Sequence, residues 1–126
     1  MEPREPMSAR MPASATKAHR LEAWTIQGDL LGSWERSEAS TILTLVASLP
    51  TGDPMRCFSP AYAIWAHAAD GAVLFDLEFC FGCFWVGVRE TDEHQELVAF
   101  DADSLPAQEL LSRFMELAAG TGQALR

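Results

Sequence analysis

The dipeptide Asp70-Gly71 constrains this chain more than any other feature. It separates "AYAIWAHAA" from "AVLFDLEFCF", two runs in which apolar residues alternate with others. Asp-Gly between alternating runs is a strong β-hairpin signal, because a two-residue turn favours positive φ at those positions. If Asp70 and Gly71 are the two turn residues, cross-strand partners sum to 141. His67 then faces Leu74, Trp65 faces Asp76, and Ala61 faces Cys80. Tyr62, Ile64, Val73, Phe75, Leu77, Phe79 and Phe81 share one face, the expected core face. Ala61, Ala63, Trp65, His67, Leu74, Asp76, Glu78 and Cys80 share the other. A one-residue slip would bury Asp76 and Glu78, so the register is well specified.

Around this hairpin the other elements follow from period and punctuation. "LEAWTIQG" and "LLGSWERS" read as two strands joined by a short turn at Gly28-Asp29. In "SEASTILTLVASLP", Ile42, Leu45, Val46 and Leu49 fall at i, i+3, i+4 and i+7, which predicts an amphipathic helix capped by Ser37 and stopped at Pro50. "FWVGV" and "LVAF" are further short strands. A last helix starts at a cap on Asp103 or Ser104, with Leu110, Leu111, Phe114, Leu117 and Ala118 as its stripe and Gly120 at its end. The order β-β-α-β-β-β-β-α predicts an α+β domain, an antiparallel meander of about six strands with both helices on one face.

The chain of 126 residues fits one domain, and 48% hydrophobic content supplies its core. Residues 1–20, rich in Pro, Ser, Ala and Arg, read as a flexible leader, with Met7 and Met11 as alternative starts. Residues 21–120 form the domain and 121–126 a flexible tail. The net charge is −9. The leader carries Arg4, Arg10, Lys17 and Arg20 against Glu2 and Glu5, a balance of +2, which leaves −11 on the rest. An acidic body argues against nucleic-acid binding, which needs clustered Lys and Arg. It suits a basic protein partner, or it serves solubility alone. No apolar run reaches the ~18 residues of a membrane span.

Three cysteines, an odd number without regular spacing, predict reduced thiols and a cytoplasmic location rather than a secreted disulfide framework. Cys80 and Cys83 form a C-x2-C pair, the half-site of many zinc centres. Cys57 is a third thiol, and His67, His94, Asp76 or Glu78 could complete four ligands, so zinc is the candidate ion. An unbroken hairpin opposes that set: Cys57 and Cys80 share a face four positions apart, roughly 13 Å at ~3.3 Å per residue, whereas sulfurs on one zinc lie within about 4 Å. A break at Pro60 and a bulge at Gly82 would relax this objection. A thioredoxin-type redox pair opens a helix, and "FWVGV" is β-like. Phe84 stands where c-type haem attachment needs histidine. Buried structural thiols are the simplest reading.

On the outer face, Asp76 and Glu78 lie beside His67, Trp65 and Cys80. Carboxylates near a histidine suit acid–base work or a metal, while a solvated strand face is the simpler account. Trp65 on a polar face is a binding hot-spot candidate if no helix covers it. Trp24, Trp34 and Trp85 are expected at the core or its rim. No G-x-S-x-G elbow surrounds Ser59, and no glycine-rich phosphate loop occurs. Without a complete catalytic set, the expectation is a non-enzymatic interaction or regulatory module that docks a protein partner or its own copy. A thiol-based metal or redox protein using Cys57, Cys80 and Cys83 is the alternative, and a small-molecule pocket stays open.

"RCFSPAYAI" followed by "FDLEFCFGCFWV" resembles a group of small bacterial proteins in which R-C-F-x-P precedes C-F-x-C. The likeness covers about residues 37–115 and rests on Arg56, Cys57, Phe58, Pro60, Cys80, Phe81 and Cys83. That group has no assigned activity. The resemblance implies a shared α+β domain and treats the cysteine segment as a unit.

Overall fold

A computed structural model describes residues 6–53, 55, 59–91 and 94–120. Six strands form one open antiparallel sheet: β1 (Arg20–Thr25), β2 (Leu30–Glu35), β3 (Tyr62–His67), β4 (Val73–Cys80), β5 (Trp85–Glu90) and β6 (Glu96–Ala99). Helix α1 (Met7–Arg10) and a 3-10 turn (Ala13–Lys17) precede β1, α2 (Ser37–Ala47) connects β2 to β3, and α3 (Leu105–Gly120) follows β6. The order across the sheet is β2-β1-β3-β4-β5-β6. From β3 onward it is a meander, while β1 sits between β2 and β3, so α2 carries the chain across β1.

The central register agrees with the expected sum of 141 from Tyr62↔Phe79 to Ala66↔Phe75. The turn itself differs. Ala68 N–H donates to Ala72 O at 2.8 Å, and Gly71 N–H to Ala68 O at 2.9 Å, so the loop has three residues, with Gly71 at φ +91°. That would displace the strand by one residue, but β4 absorbs the difference next to the turn, where Ala66 pairs with Phe75 and His67 with Val73. Leu74 is the extra residue of a bulge. His67 therefore faces Val73 instead of Leu74. Leu74 packs toward the core and Val73 is 40% exposed, reversing their expected faces. The first hairpin repeats the device: Thr25 N–H donates to Asp29 O at 2.8 Å and Gly28 N–H to Thr25 O at 3.0 Å, with Gly28 at φ +101°. Both glycines occupy the left-handed position that closes a three-residue hairpin loop.

All the helices cover one face of the sheet. Leu21, Ala23, Tyr62, Ile64, Phe75, Leu77, Phe79, Val86, Val88 and Val98 from the strands meet Ile42, Val46, Leu110 and Phe114 from α2 and α3 in a single core. Phe114 is its aromatic centre, stacked on Tyr62 at 4.8 Å and edge-on to Trp34 at 5.6 Å and Phe79 at 5.8 Å. Ser104 caps α3 as expected, its Oγ accepting Ala107 N–H at 3.4 Å. Ser37, by contrast, is the first helical residue of α2. Arg36 holds the cap position at φ 53°, ψ −115°, with no side-chain cap.

Residues 6–19, read in the sequence as part of a leader without order, pack on the domain. Met7 is fully buried in the core, and Met11, Ala15 and Ala18 lie against it. Arg10 pairs with Glu96 of β6. Pro12 interrupts the helical spacing of these apolar residues, which is why the pattern did not read as an element. Among the described residues, no helix is long and apolar enough to cross a membrane.

Candidate functional site

Among the described residues, no helix lies on the second face of the sheet. Cross-strand pairing sets its side chains in rows. One row runs Ser33, Glu22, Trp65, Asp76, Arg89 across five strands. The next runs Leu30, Trp24, Ala63, Glu78, Gly87, Leu97 across all six. Cys80, Trp85 and Ala99 form another. Trp65 is thus uncovered by any helix, the condition on which its candidacy rested. Trp24 and Trp85, expected at the core or its rim, are half-buried on this same open face. Trp34 alone of the three lies in the core, 4% exposed.

Asp76 is the one buried polar residue among the described residues, 5% exposed. Its Oδ2 accepts Arg89 Nε–H at 3.0 Å and lies 3.0 Å from Arg89 Nη2. Its Oδ1 is shut off from solvent and accepts no hydrogen bond from the described residues. Burial pushes the Asp76 carboxyl above the ordinary aspartate value. The hydrogen bond and charge of Arg89 pull it back, and the neighbouring Glu78 charge raises it further. Trp65, Val73, Asp76 and Arg89, with Phe75, Glu90 and Thr91, line a cleft of about 430 Å³.

The other candidates on this face are partnered separately. His67 Nε2 lies 2.8 Å from Glu22 Oε1 and His67 Nδ1 3.3 Å from Gly71 O, while Arg20 Nη2 donates to Glu22 Oε2 at 2.7 Å. Glu78 Oε1 accepts Gln95 Nε2–H at 2.8 Å. Gln95 crosses the sheet above Gly87, where a Cβ would stand 2.5 Å from its Nε2. Trp65, His67, Asp76 and Glu78 therefore share a surface, but each polar group answers to a different neighbour. Sequence reasoning missed Glu22, Arg89 and Gln95. Alternation within β1 and β5 carried a signal for the first two, while Gln95 precedes β6 and no periodicity marks it.

A strand running unbroken through residue 84 would hold Cys57 and Cys80 roughly 13 Å apart. Instead β4 ends at Cys80, which pairs with Trp85, and residues 81–84 make a hairpin loop with Phe84 at φ 64°. Cys83 N–H donates to Cys80 Sγ at 3.1 Å. Met55 crosses this loop, its N–H on Cys83 O at 3.0 Å and its O accepting Trp85 Nε1–H at 2.7 Å. Cys80 is a buried free thiol, whereas Cys83 is disulfide-bonded, which corrects the expectation of reduced thiols. The disulfide also removes the support that reduced thiols lent to a cytoplasmic location. Cys57, with Arg56 and Phe58, lies outside the described residues. Among the described residues no three His, Cys, Asp or Glu side chains stand close enough to hold a metal ion. An oxidised Cys83 offers no thiolate for zinc.

On the helical side, a groove of about 530 Å³ between the N-terminal segment and α2 is lined by uncharged residues such as Ser8, Met11, Thr16, Ser40 and Leu43. Comparison with family models, curated proteins and solved structures gives no match.

Proposed function

We propose that the domain is a non-enzymatic interaction module that docks a basic protein partner on its open sheet face. The observation that carries this reading is a helix-free sheet face bearing Trp24, Trp65 and Trp85 among charged groups. Tryptophan dominates binding hot spots because one side chain brings large apolar area with little conformational entropy to lose. With a further row of Glu35, Arg20 and His67, the face holds Glu22, Glu35, Asp76 and Glu78 against Arg20 and Arg89, four carboxylates to two guanidinium groups, a net −2. With −11 on residues 21–126, charge complementarity favours a basic partner over a second copy of this chain.

The test places a photo-crosslinking residue at Trp65 and, separately, at Met115, which is 49% exposed on α3. The partner captured at position 65 is then purified and its binding reconstituted. The reading expects a basic protein whose affinity falls at least tenfold with Trp65→Ala and weakens with added salt. Crosslinking confined to position 115, or a dimer formed through the open face in sedimentation, overturns it.

A further inference from the structure

The open face is divided. Its ion pairs gather in the rows through Trp65 and His67, whereas the rows through Trp24 and Trp85 are apolar apart from Glu78 and the Gln95 beside it. Seven large apolar side chains are exposed among the described residues, and four of them lie at this apolar end. Leu30 and Leu97 close the Trp24 row at its two edges. Ile26, two residues beyond Trp24 on the same side, extends the β1–β3 ladder through its N–H to Ala61 O at 3.0 Å. Met55 is held there by the Trp85 indole. Antiparallel sheets that face water on one side ordinarily put polar residues on it, and an exposed apolar patch rimmed by polar groups marks a contact surface. Glu78 is the one charge inside the patch. Glu22 has Arg20 and His67, and Asp76 has Arg89, whereas Glu78 has only the neutral Gln95 among the described residues.

We propose that this apolar end receives an amphipathic helix of the basic partner, with one lysine or arginine of that helix set against Glu78. This rests on the open face being the docking surface. The face of a sheet offers side chains and no backbone donors or acceptors. An extended segment laid on it would bury its own N–H and C=O groups unpaired, at about 1–3 kcal/mol each, whereas a helix pairs them internally. The other face of this sheet is covered in the same way, by α2 and α3. The rows also set the size of the guest. From Leu30 on β2 to Leu97 on β6 there are five strand spacings of about 4.8 Å, roughly 24 Å, which a helix of about 16 residues spans at about 1.5 Å per residue. The two apolar rows lie about 7 Å apart, a width that suits the apolar stripe of one helix. A cation opposite Glu78 then fixes the register of the helix, and an acidic helix would set a carboxylate against it.

The probes are three peptides of about 16 residues, followed in amide and indole NMR spectra of the full chain. The first carries leucine and lysine at helical spacing, the second the same residues in an order without helical period, and the third glutamate in place of lysine at helical spacing. The first is expected to bind with a sub-millimolar Kd, moving the Trp24 and Trp85 indole N–H signals and leaving that of Trp34, in the core, in place. The second should bind at least fivefold more weakly and the third at least tenfold. Leu30→Ser, Leu97→Ser and Glu78→Gln should each weaken the first peptide at least threefold, and Met115→Ser, on α3, should leave it unchanged. Absence of a saturable shift at either indole, equal binding of the second or third peptide, or a loss with Met115→Ser that matches those with Leu30→Ser and Leu97→Ser overturns the inference. A purified partner that crosslinks at position 65 but tolerates Leu30→Ser, Leu97→Ser and Glu78→Gln removes this inference and leaves the docking reading standing. Peptide binding on the apolar rows, with no protein docking on the face, does the reverse.

Discussion

Replacing Arg89 with methionine isolates the energetics at the centre of the open face. Arg89→Met keeps much of the aliphatic stem and removes both donors from Asp76 Oδ2, leaving a carboxylate whose side chain is 8% exposed with neither oxygen paired. Breaking a fully buried pair this way costs about 3–5 kcal/mol. Here the guanidinium is 43% exposed, so water replaces part of it, and we expect about 2 kcal/mol at pH 8. The pH dependence is the sharper signature. Burial and Glu78 raise the Asp76 pKa while Arg89 lowers it, so the variant holds its proton to a higher pH than the wild type. A raised folded-state value means that the native chain binds a proton the unfolded chain has lost. Stability then falls as pH rises from about 3.9, the unfolded value, through the folded one.

In the wild type this decline ends at a lower pH than in Arg89→Met. The destabilisation caused by the substitution should therefore be smallest under acid conditions and grow toward neutrality. Urea unfolding followed by tryptophan fluorescence at pH 5.5, 6.5 and 8 measures it, staying above the pI of about 4.6 where solubility is poorest. The double variant Asp76→Leu/Arg89→Met should show a flat difference and recover to within about 1.5 kcal/mol of wild type, as replaced ion pairs commonly do. A penalty for Arg89→Met that is larger at pH 5.5 than at pH 8 would refute the assignment of Asp76 as a carboxyl held up by burial and down by Arg89.

Further substitutions test other parts of the account. Gly52→Ala should destabilise the fold by about 3 kcal/mol or fail to fold, because a Cβ there would lie 2.3 Å from the backbone oxygen of Phe100, measured by thermal unfolding. Arg36→Gly should raise the melting temperature by a few degrees, since φ 53°, ψ −115° costs a non-glycine residue about 1–3 kcal/mol and glycine about half to one less through chain entropy. Phe114→Ala removes the ring packed on Tyr62, Trp34 and Phe79 and should cost about 3–5 kcal/mol in the same melts. Alkylation with peptide mapping should label Cys80 in denaturant without reductant and Cys83 only after reduction. Cys83 labelled without reductant contradicts the disulfide.

The hairpin around Asp70 shows how far pattern reaches. Alternation set which residues share a face over Tyr62–Ala66 and Phe75–Phe79, because a slip would have buried Asp76 and Glu78. The turn's conformation was out of reach, since Asp-Gly serves both two-residue and three-residue loops, and only the bulge at Leu74 reconciles the observed loop with the expected pairing. The reversal after Cys80 left less trace. "FCFGCFWVG" is apolar throughout, Gly82 is the one break, and the left-handed residue is Phe84, a bulky side chain that argues against such a position. The open face was legible as a set of positions, but its partnerships depend on which strand neighbours β3. The insertion of β1 between β2 and β3 delivered Glu22 to His67.

That insertion also bears on why charge sits in the middle of a face with three tryptophans. A buried ion pair is weak evidence of stability, and an apolar pair would serve the sheet as well. An open face of Trp24, Trp65 and Trp85 without carboxylates between them would be an apolar patch able to stack on its own copy. Asp76 and Glu78 are adjacent positions on one side of β4, so face-to-face association would bring like charges together and strip Arg89 and Gln95 of water. The sheet edges are guarded in the same manner, for β6 has only four residues and its Glu96 is tied to Arg10. Under the proposed docking role, such a face favours a partner of opposite charge over its own copy.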